Sequence, residues 1–161
     1  MGLRTLKRRR RENKTDYKAR RILLTSGLPR IVARRTNKYF ILQAVESHEA
    51  QDKVLATITS KELLKNGWDS KMGGSLKSIP SGYLTGLLMA KKLGKGKYIM
   101  DLGMARTLKG SRIFSVIKGL IDGGLDIPAN ETVFPSEERL NGEHLKDEVK
   151  NMIIKVKGNL K

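Results

Sequence analysis

Cysteine is absent from this chain of 161 residues, and only two histidines, His48 and His144, occur in it. No disulfide framework, thiolate metal centre or thiol nucleophile can therefore form. Two isolated histidines without clustered ligands do not make a zinc site, so no bound metal is expected, and both read as ordinary surface groups. Aromatic residues are scarce at 5%. No run approaches the ~18 apolar residues that a membrane span needs. The longest greasy stretch, Tyr83–Ala90, is broken by Thr85 and Gly86. The basic start is followed by no apolar segment of the kind a secretory leader requires, so a soluble, cytoplasmic protein with no membrane partner is expected.

Acid is lacking in one part of the chain. Residues 1–38 carry fourteen basic and two acidic side chains, whereas residues 39–161 carry nineteen and fourteen. The formal charge of +17 is thus concentrated at one end. Within the second part, Asp122–Glu148 holds eight acids against Arg139 and Lys146. A polycation joined to a weakly basic body with an acidic section reads as an arm for a polyanion. The acidic section is expected to face solvent or a basic protein neighbour, because carboxylates placed against phosphates repel them.

Missing motifs exclude several enzymes. A nuclease of the two-metal type needs converging carboxylates. The first strand, Arg30–Thr36, has none, and Asp101 stands alone at the end of its own strand, where it reads as a structural or turn-capping residue. Gly94-Lys95-Gly96-Lys97 lacks the leading glycine and the trailing Ser or Thr of a phosphate-binding loop. No Gly-x-Ser-x-Gly nucleophile elbow occurs. No catalytic residue, cofactor or small-molecule substrate is expected.

What the chain does contain is a run of alternating elements. Residues 1–14, with Lys7-Arg8-Arg9-Arg10-Arg11, have too few apolar groups to offset ordering entropy and are expected to be disordered alone. Thr15 reads as the cap of a helix whose stripe is Ala19, Ile22 and Leu23, with Lys14, Lys18 and Arg21 on another face. Gly27 and Pro29 end it. Strands follow at Arg30–Thr36, about Tyr39–Val45, and Lys53–Thr59, separated by short turns, which reads as an antiparallel meander. Ser60 reads as the cap of a short helical segment, and Ser70–Ser78 as a flexible loop.

A helix from Pro80 to about Leu93 carries Gly82, Gly86 and Ala90 on one face, a smooth surface suited to packing on a sheet. A strand at Lys97–Leu102, a helix at Ser111–Gly123, and a last amphipathic helix bearing Leu145, Val149, Met152, Ile153 and Val156 complete the chain. The expected fold is α/β. A three-stranded meander followed by helix, strand and helix forms a mixed sheet, with parallel pairing across the helical crossover. The expected organisation is a basic arm over 1–14, an RNA-binding α/β domain over 15–135, and a C-terminal helical extension over 136–161.

Nucleic acid is the partner that the charge favours, through neutralised phosphates and released counterions. A charge run is otherwise a solvated face, a membrane-surface segment or an import signal. Its continuation into Arg30, Arg34 and Arg35 on a strand favours RNA over these. The expected RNA-facing set comprises Lys7, Arg8, Arg9, Arg10, Arg11, Lys14, Tyr17, Lys18, Arg20, Arg21, Arg30, Arg34, Arg35, Asn37, Lys38, Lys109, Gly110, Ser111 and Arg112. Arm arginines are assigned to affinity, and the hairpin Arg34–Lys38 and the turn Lys109–Arg112 to register. Tyr17, Tyr39, Phe40 and Trp68 are candidates for base stacking, although each is also an ordinary core or interface residue.

Particular residues carry a family resemblance. Pro29-Arg30-Ile31-Val32, Thr36-Asn37-Lys38-Tyr39 and Gln43 resemble the first hairpin of the large-subunit ribosomal protein family that binds 5S ribosomal RNA, protein eighteen in the bacterial count. Thr15-Asp16-Tyr17 with Ala19-Arg20-Arg21, the Gly82–Leu88 helix, Asp101-Leu102-Gly103, and Gly110-Ser111-Arg112-Ile113-Phe114 resemble its archaeal and eukaryotic branch. So do Lys118-Gly119, Asp122-Gly123-Gly124-Leu125 and Ile127-Pro128. Ile79-Pro80-Ser81 departs from the family's commoner Pro-Ala-Ala.

The resemblance spans roughly residues 15–135, and length favours the archaeal form. It implies a ribonuclease-H-like arrangement and a non-catalytic place on the cytoplasmic ribosome. The implied partners are 5S rRNA, large-subunit rRNA and neighbouring central-protuberance ribosomal proteins. A free-standing RNA-binding module or RNA chaperone using the same basic face is the alternative.

Overall fold

Period-two burial in the strands and two strongly apolar helices set the architecture. The computed structural model describes residues 5–49 and 51–160, so residues 1–4 of the basic arm lie outside the described residues. The elements run α1 (Arg8–Arg11), α2 (Tyr17–Thr25), β1 (Arg30–Arg35), β2 (Phe40–His48), β3 (Gln51–Thr59), α3 (Ile79–Leu93), β4 (Ile99–Asp101), α4 (Arg112–Asp122), α5 (Glu137–Asn141) and α6 (Asp147–Leu160). The four-stranded sheet has the order β3-β2-β1-β4, antiparallel in the meander and parallel between β1 and β4. The α/β class, the mixed sheet and the C-terminal helix expected from sequence are all present. Beyond β4, Lys97 forms a parallel bridge with Asp126, the trace of a further strand.

Ile31 and Ala33 of β1, Phe40, Leu42 and Ala44 of β2, and Ala56 and Ile58 of β3 face one side. There they meet Met89 and Ala90 of α3 and Ile113, Val116, Ile117 and Leu120 of α4 in the main core. The glycine face of α3 packs on α4 rather than on the sheet, which corrects the expectation. A Cβ on Gly86 would collide with the Val116 carbonyl, and one on Gly119 with the Tyr83 carbonyl, so the two backbones touch. The expected face was smooth enough for either partner, and only the crossover decides which helix it meets.

A second core lies across α3. Leu63, Trp68, Leu76, Tyr83 and Leu84 pack with Leu140, Ile153, Val156 and Leu160, so segment 136–160 closes over residues 60–84. The short helical segment expected after Thr59 is the 3₁₀ segment Ser60–Asn66, whereas Ser70–Ser78, read as a flexible loop, contains a second 3₁₀ segment, Ser70–Ser75, flanked by buried Trp68 and Leu76. Thr59, not Ser60, precedes the first of these, and Glu62 accepts from the Thr59 amide at 3.0 Å. The Ser60 hydroxyl instead accepts from the Phe40 amide inside the sheet.

Helix α2 lies on the opposite face of the sheet, against β4. Its cap is Asp16 rather than Thr15, with the carboxylate accepting from the amides of Lys18 and Ala19 at 3.0 and 3.2 Å. Those amide bonds, assisted by Arg10 and Lys18, hold the Asp16 carboxyl below its ordinary pKa. None of the residues of α2 is buried, and Ile22 is 63% exposed. Each large apolar side chain buried in α4 contributes ~1.5–3 kcal/mol. Helix α2 has only the half-buried Leu23 and Leu24 in that role, so polar ties carry much of its seat.

Candidate RNA interface

The polar ties of α2 define one end of the basic surface. Asp52 on β3 receives Arg20 of α2 at 2.9 Å and Arg30 of β1 at 2.6 Å, and also accepts from the Ser47 hydroxyl. Partial burial raises the Asp52 pKa, but the bonds from Ser47 and Arg30 outweigh it and leave the carboxyl below its usual range. The Arg30 side chain is only 6% exposed, and it also lies 3.8 Å from Asp101. Arg30 is therefore corrected from an RNA-facing residue to an internal strut. Its strand position put it on the polar side of the sheet, where α2 and the β2–β3 ribbon cover it.

Arg34 occupies an intermediate position. Its guanidinium donates to the Asp101 carbonyl at 2.8 Å and to the Asp101 carboxylate at 3.0 Å. The same carboxylate accepts from the Gly103 amide, so Asp101 caps the turn as expected, and Arg34 holds the loop that follows β4.

The described arm residues, 5–14, are exposed. Arg8 and Lys14 flank Glu12, and Arg10 lies 3.6 Å from Asp16. Arg9 donates to Thr15 at 2.9 Å, and Lys7 stands over the ring of Tyr17. Exposed pairs of this kind are worth ~0–1 kcal/mol, so phosphates can replace them at little cost. Arg11, Lys18 and Arg21 are exposed, with no side-chain hydrogen bond or ion pair to another described residue.

Two concave places adjoin the arm and the hairpin. The first is a cleft of about 540 Å³ lined by Lys14, Arg34, Arg35, Arg106, Ser111 and Arg112 among others. Gly110, at its rim, has φ of +67°, a conformation that side chains disfavour, and its amide donates to the Val133 carbonyl. Ser111 and Arg112 are thus brought beside Arg34 and Arg35, with Lys109 and Gly110 preceding them in the chain. The second is a groove where Asn37 and Lys38 of the β1–β2 turn meet Gly73, Gly74 and Lys77, with Lys61 nearby over Tyr39.

Sequence reasoning missed Arg106, Lys61 and Lys77. The acid-free stretch Leu102–Lys109 was a signal for Arg106; nothing local marked the two lysines, which reach the hairpin only through the fold. Of the stacking candidates, Phe40 and Trp68 are buried core residues, which corrects that assignment. Tyr17 stays partly exposed.

The acids lie elsewhere. Asp126, Glu131, Glu137, Glu138, Glu143, Asp147 and Glu148 are exposed on the segments around α5 and the start of α6. Among the described residues no cluster of potential metal ligands occurs, and no helix is long and apolar enough to cross a membrane.

Comparison with known proteins identifies relatives of one kind. A family model described as ribosomal large subunit proteins 60S L5 and 50S L18 matches residues 3–97 and 94–130. The chain is 45% identical over 141 residues to the large ribosomal subunit protein uL18 of Methanoregula boonei, covering 86% of this chain and 79% of that one. It is 46% identical over 141 residues to the protein of the same name from Korarchaeum cryptofilum, covering 86% and 70%. The Caldivirga maquilingensis protein of that name is 46% identical over 142 residues, covering 86% and 67%.

Proposed function

This chain belongs to the family of ribosomal large-subunit proteins 60S L5 and 50S L18, structural and non-enzymatic constituents of the ribosome, and on that premise we propose that it binds 5S rRNA. In this reading it helps to anchor 5S rRNA to large-subunit rRNA at the central protuberance, beside other ribosomal proteins. The observation that carries the reading is the segregation of charge. The arm, the exposed face of α2, the β1–β2 turn and the Lys109–Arg112 turn present cations, while the acids collect around α5 and α6.

Each part has a role that follows from its mobility. A basic arm whose described residues are all exposed reads charge and supplies affinity by releasing counterions. Groups fixed by the sheet and by Gly110 keep constant spacings and so recognise one RNA shape. The acidic edge turns away from phosphate and suits a basic protein neighbour.

The experiment is a salt titration of the chain on 5S rRNA and on transfer RNA. A saturable complex with 5S rRNA, tighter at every salt concentration than that with transfer RNA, is expected. Equal affinity for both would make the chain a free-standing RNA-binding module instead.

A further inference from the structure

The cleft beside α4 holds donors that the fold itself leaves unused. Ser111 stands at the N-cap position of α4, yet its side chain makes no capping bond. Its Oγ is buried and has no hydrogen-bond partner among the described residues. The first amides of the helix, Arg112 and Ile113, precede any intrahelical acceptor, and the positive end of the helix dipole points the same way. Lys14, Arg35 and Arg106 add exposed cations from three separate segments. The carboxylates at its edge are already paired, Asp101 with Arg34 and Arg30, and Glu12 with Arg8 and Lys14 in exposed pairs that a phosphate can replace. Every charged residue that lines this cleft is a cation, and with the free helix amides these groups complement an anion with several acceptor oxygens.

The remaining wall is apolar. Leu108 is 63% exposed and Met104 43% exposed, both in a loop whose ionisable neighbours are Arg106 and Lys109. An isolated phosphate would leave that ledge wet. The volume of about 540 Å³ falls within the ~300–1,000 Å³ of sites that enclose a small organic molecule.

We propose that the cleft seats one unstacked nucleotide of the bound RNA. Its phosphate faces the start of α4, Ser111 and the arginines, and its base lies on the Leu108–Met104 ledge. This rests on the RNA-binding reading and adds Arg106, Met104 and Leu108 to its contacts. Proteins recognise RNA sequence mainly at splayed single nucleotides, and a cleft on a surface poor in aromatics supplies the apolar contact that stacking supplies elsewhere.

The test uses the full chain with 5S rRNA and with transfer RNA. Ala105→Phe places a ring in the cleft wall at an exposed position without changing charge. Affinity for 5S rRNA is expected to fall at least tenfold while the salt slope stays the same. Leu108→p-benzoylphenylalanine is expected to crosslink to one or two adjacent nucleotides. A folded Ala105→Phe chain that binds as tightly as the parent, or a crosslink spread along the RNA, overturns the inference even where 5S preference is intact.

Should the parent chain prefer neither RNA, the 5S reading fails, and the same two readouts on transfer RNA decide the cleft. Should Ala105→Phe not fold, Arg106→Gln replaces it, and an unchanged affinity then overturns the inference. Millimolar adenosine monophosphate is expected to leave RNA binding within twofold. Full displacement by it would make this a free-nucleotide site and refute an RNA source.

Discussion

Arg30→Met separates a cation that holds the fold from one that holds RNA. The substitution removes the bonds to Asp52 at 2.6 Å and to Ser47 at 2.8 Å. Hydrogen bonds to charged groups are worth ~1.5–3 kcal/mol each, which sets a gross loss of roughly 3–6 kcal/mol. Two features reduce it. Neither carboxylate is orphaned, since Asp52 keeps Arg20 and Asp101 keeps Arg34. The Arg30 Nε is itself buried without a hydrogen-bond partner, and its removal recovers part of a ~1–3 kcal/mol desolvation cost. Methionine fills most of the same space. The net loss is therefore about 2 kcal/mol, or a fall in Tm of roughly 4–8 °C for a chain of this size.

The salt dependence of RNA binding by Arg30→Met should be unchanged. Arg35→Gln, at an exposed cation at the end of the same strand, should do the opposite. Stability should stay within about 0.5 kcal/mol, and the slope should fall by ~0.7–0.9. Urea denaturation and a salt titration on both variants check the pair. An Arg30→Met chain of parental stability whose slope falls as that of Arg35→Gln does would refute the assignment of Arg30 to the interior.

The remaining predictions concern packing, pH and the arm. Gly119→Ala should cost roughly 1–3 kcal/mol or more in a thermal melt, because the new Cβ meets the Tyr83 carbonyl and backbone must move; a neutral result would mean that α3 and α4 are not in contact there. The folded pKa of Asp52 lies below its ordinary 3.8, so the α2–sheet tie is fully present above that value and weakens as pH falls through and below it. Asp52→Asn should remove that part of the acid dependence, measured by amide exchange in α2. Amide exchange should also show Arg8–Arg11 unprotected in the free chain and protected with RNA, since a four-residue helix that buries nothing is not stable alone; strong protection without RNA would contradict this.

Much of the fold was legible because strong local signals agreed with one another. Alternation in β1 and β2, Pro80 at the start of α3, and the apolar stripe of α4 each point to the element observed. The third strand departs from simple alternation because the register shifts between Ala44 and Val45, which leaves both Val54 and Leu55 half-exposed. The second core was hidden, since Trp68 and Leu76 sit in a Gly- and Ser-rich stretch whose order comes from α3 and α6 packing against it. Helix α5 has five residues, too few for periodicity to register.

The site was legible by charge and less so by role. Charge placed Arg30 and Arg35 in one class, and only burial separates them. Arg106 enters the cleft through a loop that Arg34 holds in place, a connection made across 67 residues of sequence between Arg34 and Asp101.

The most direct test of the central claim is a residue-level map of protein–RNA crosslinks in the complex with 5S rRNA. Crosslinks are expected at Lys14, Lys18, Lys38, Lys109 and along the arm, with none in Glu131–Glu148. Crosslinks concentrated in Glu131–Glu148, with the basic face unmarked, would contradict the account.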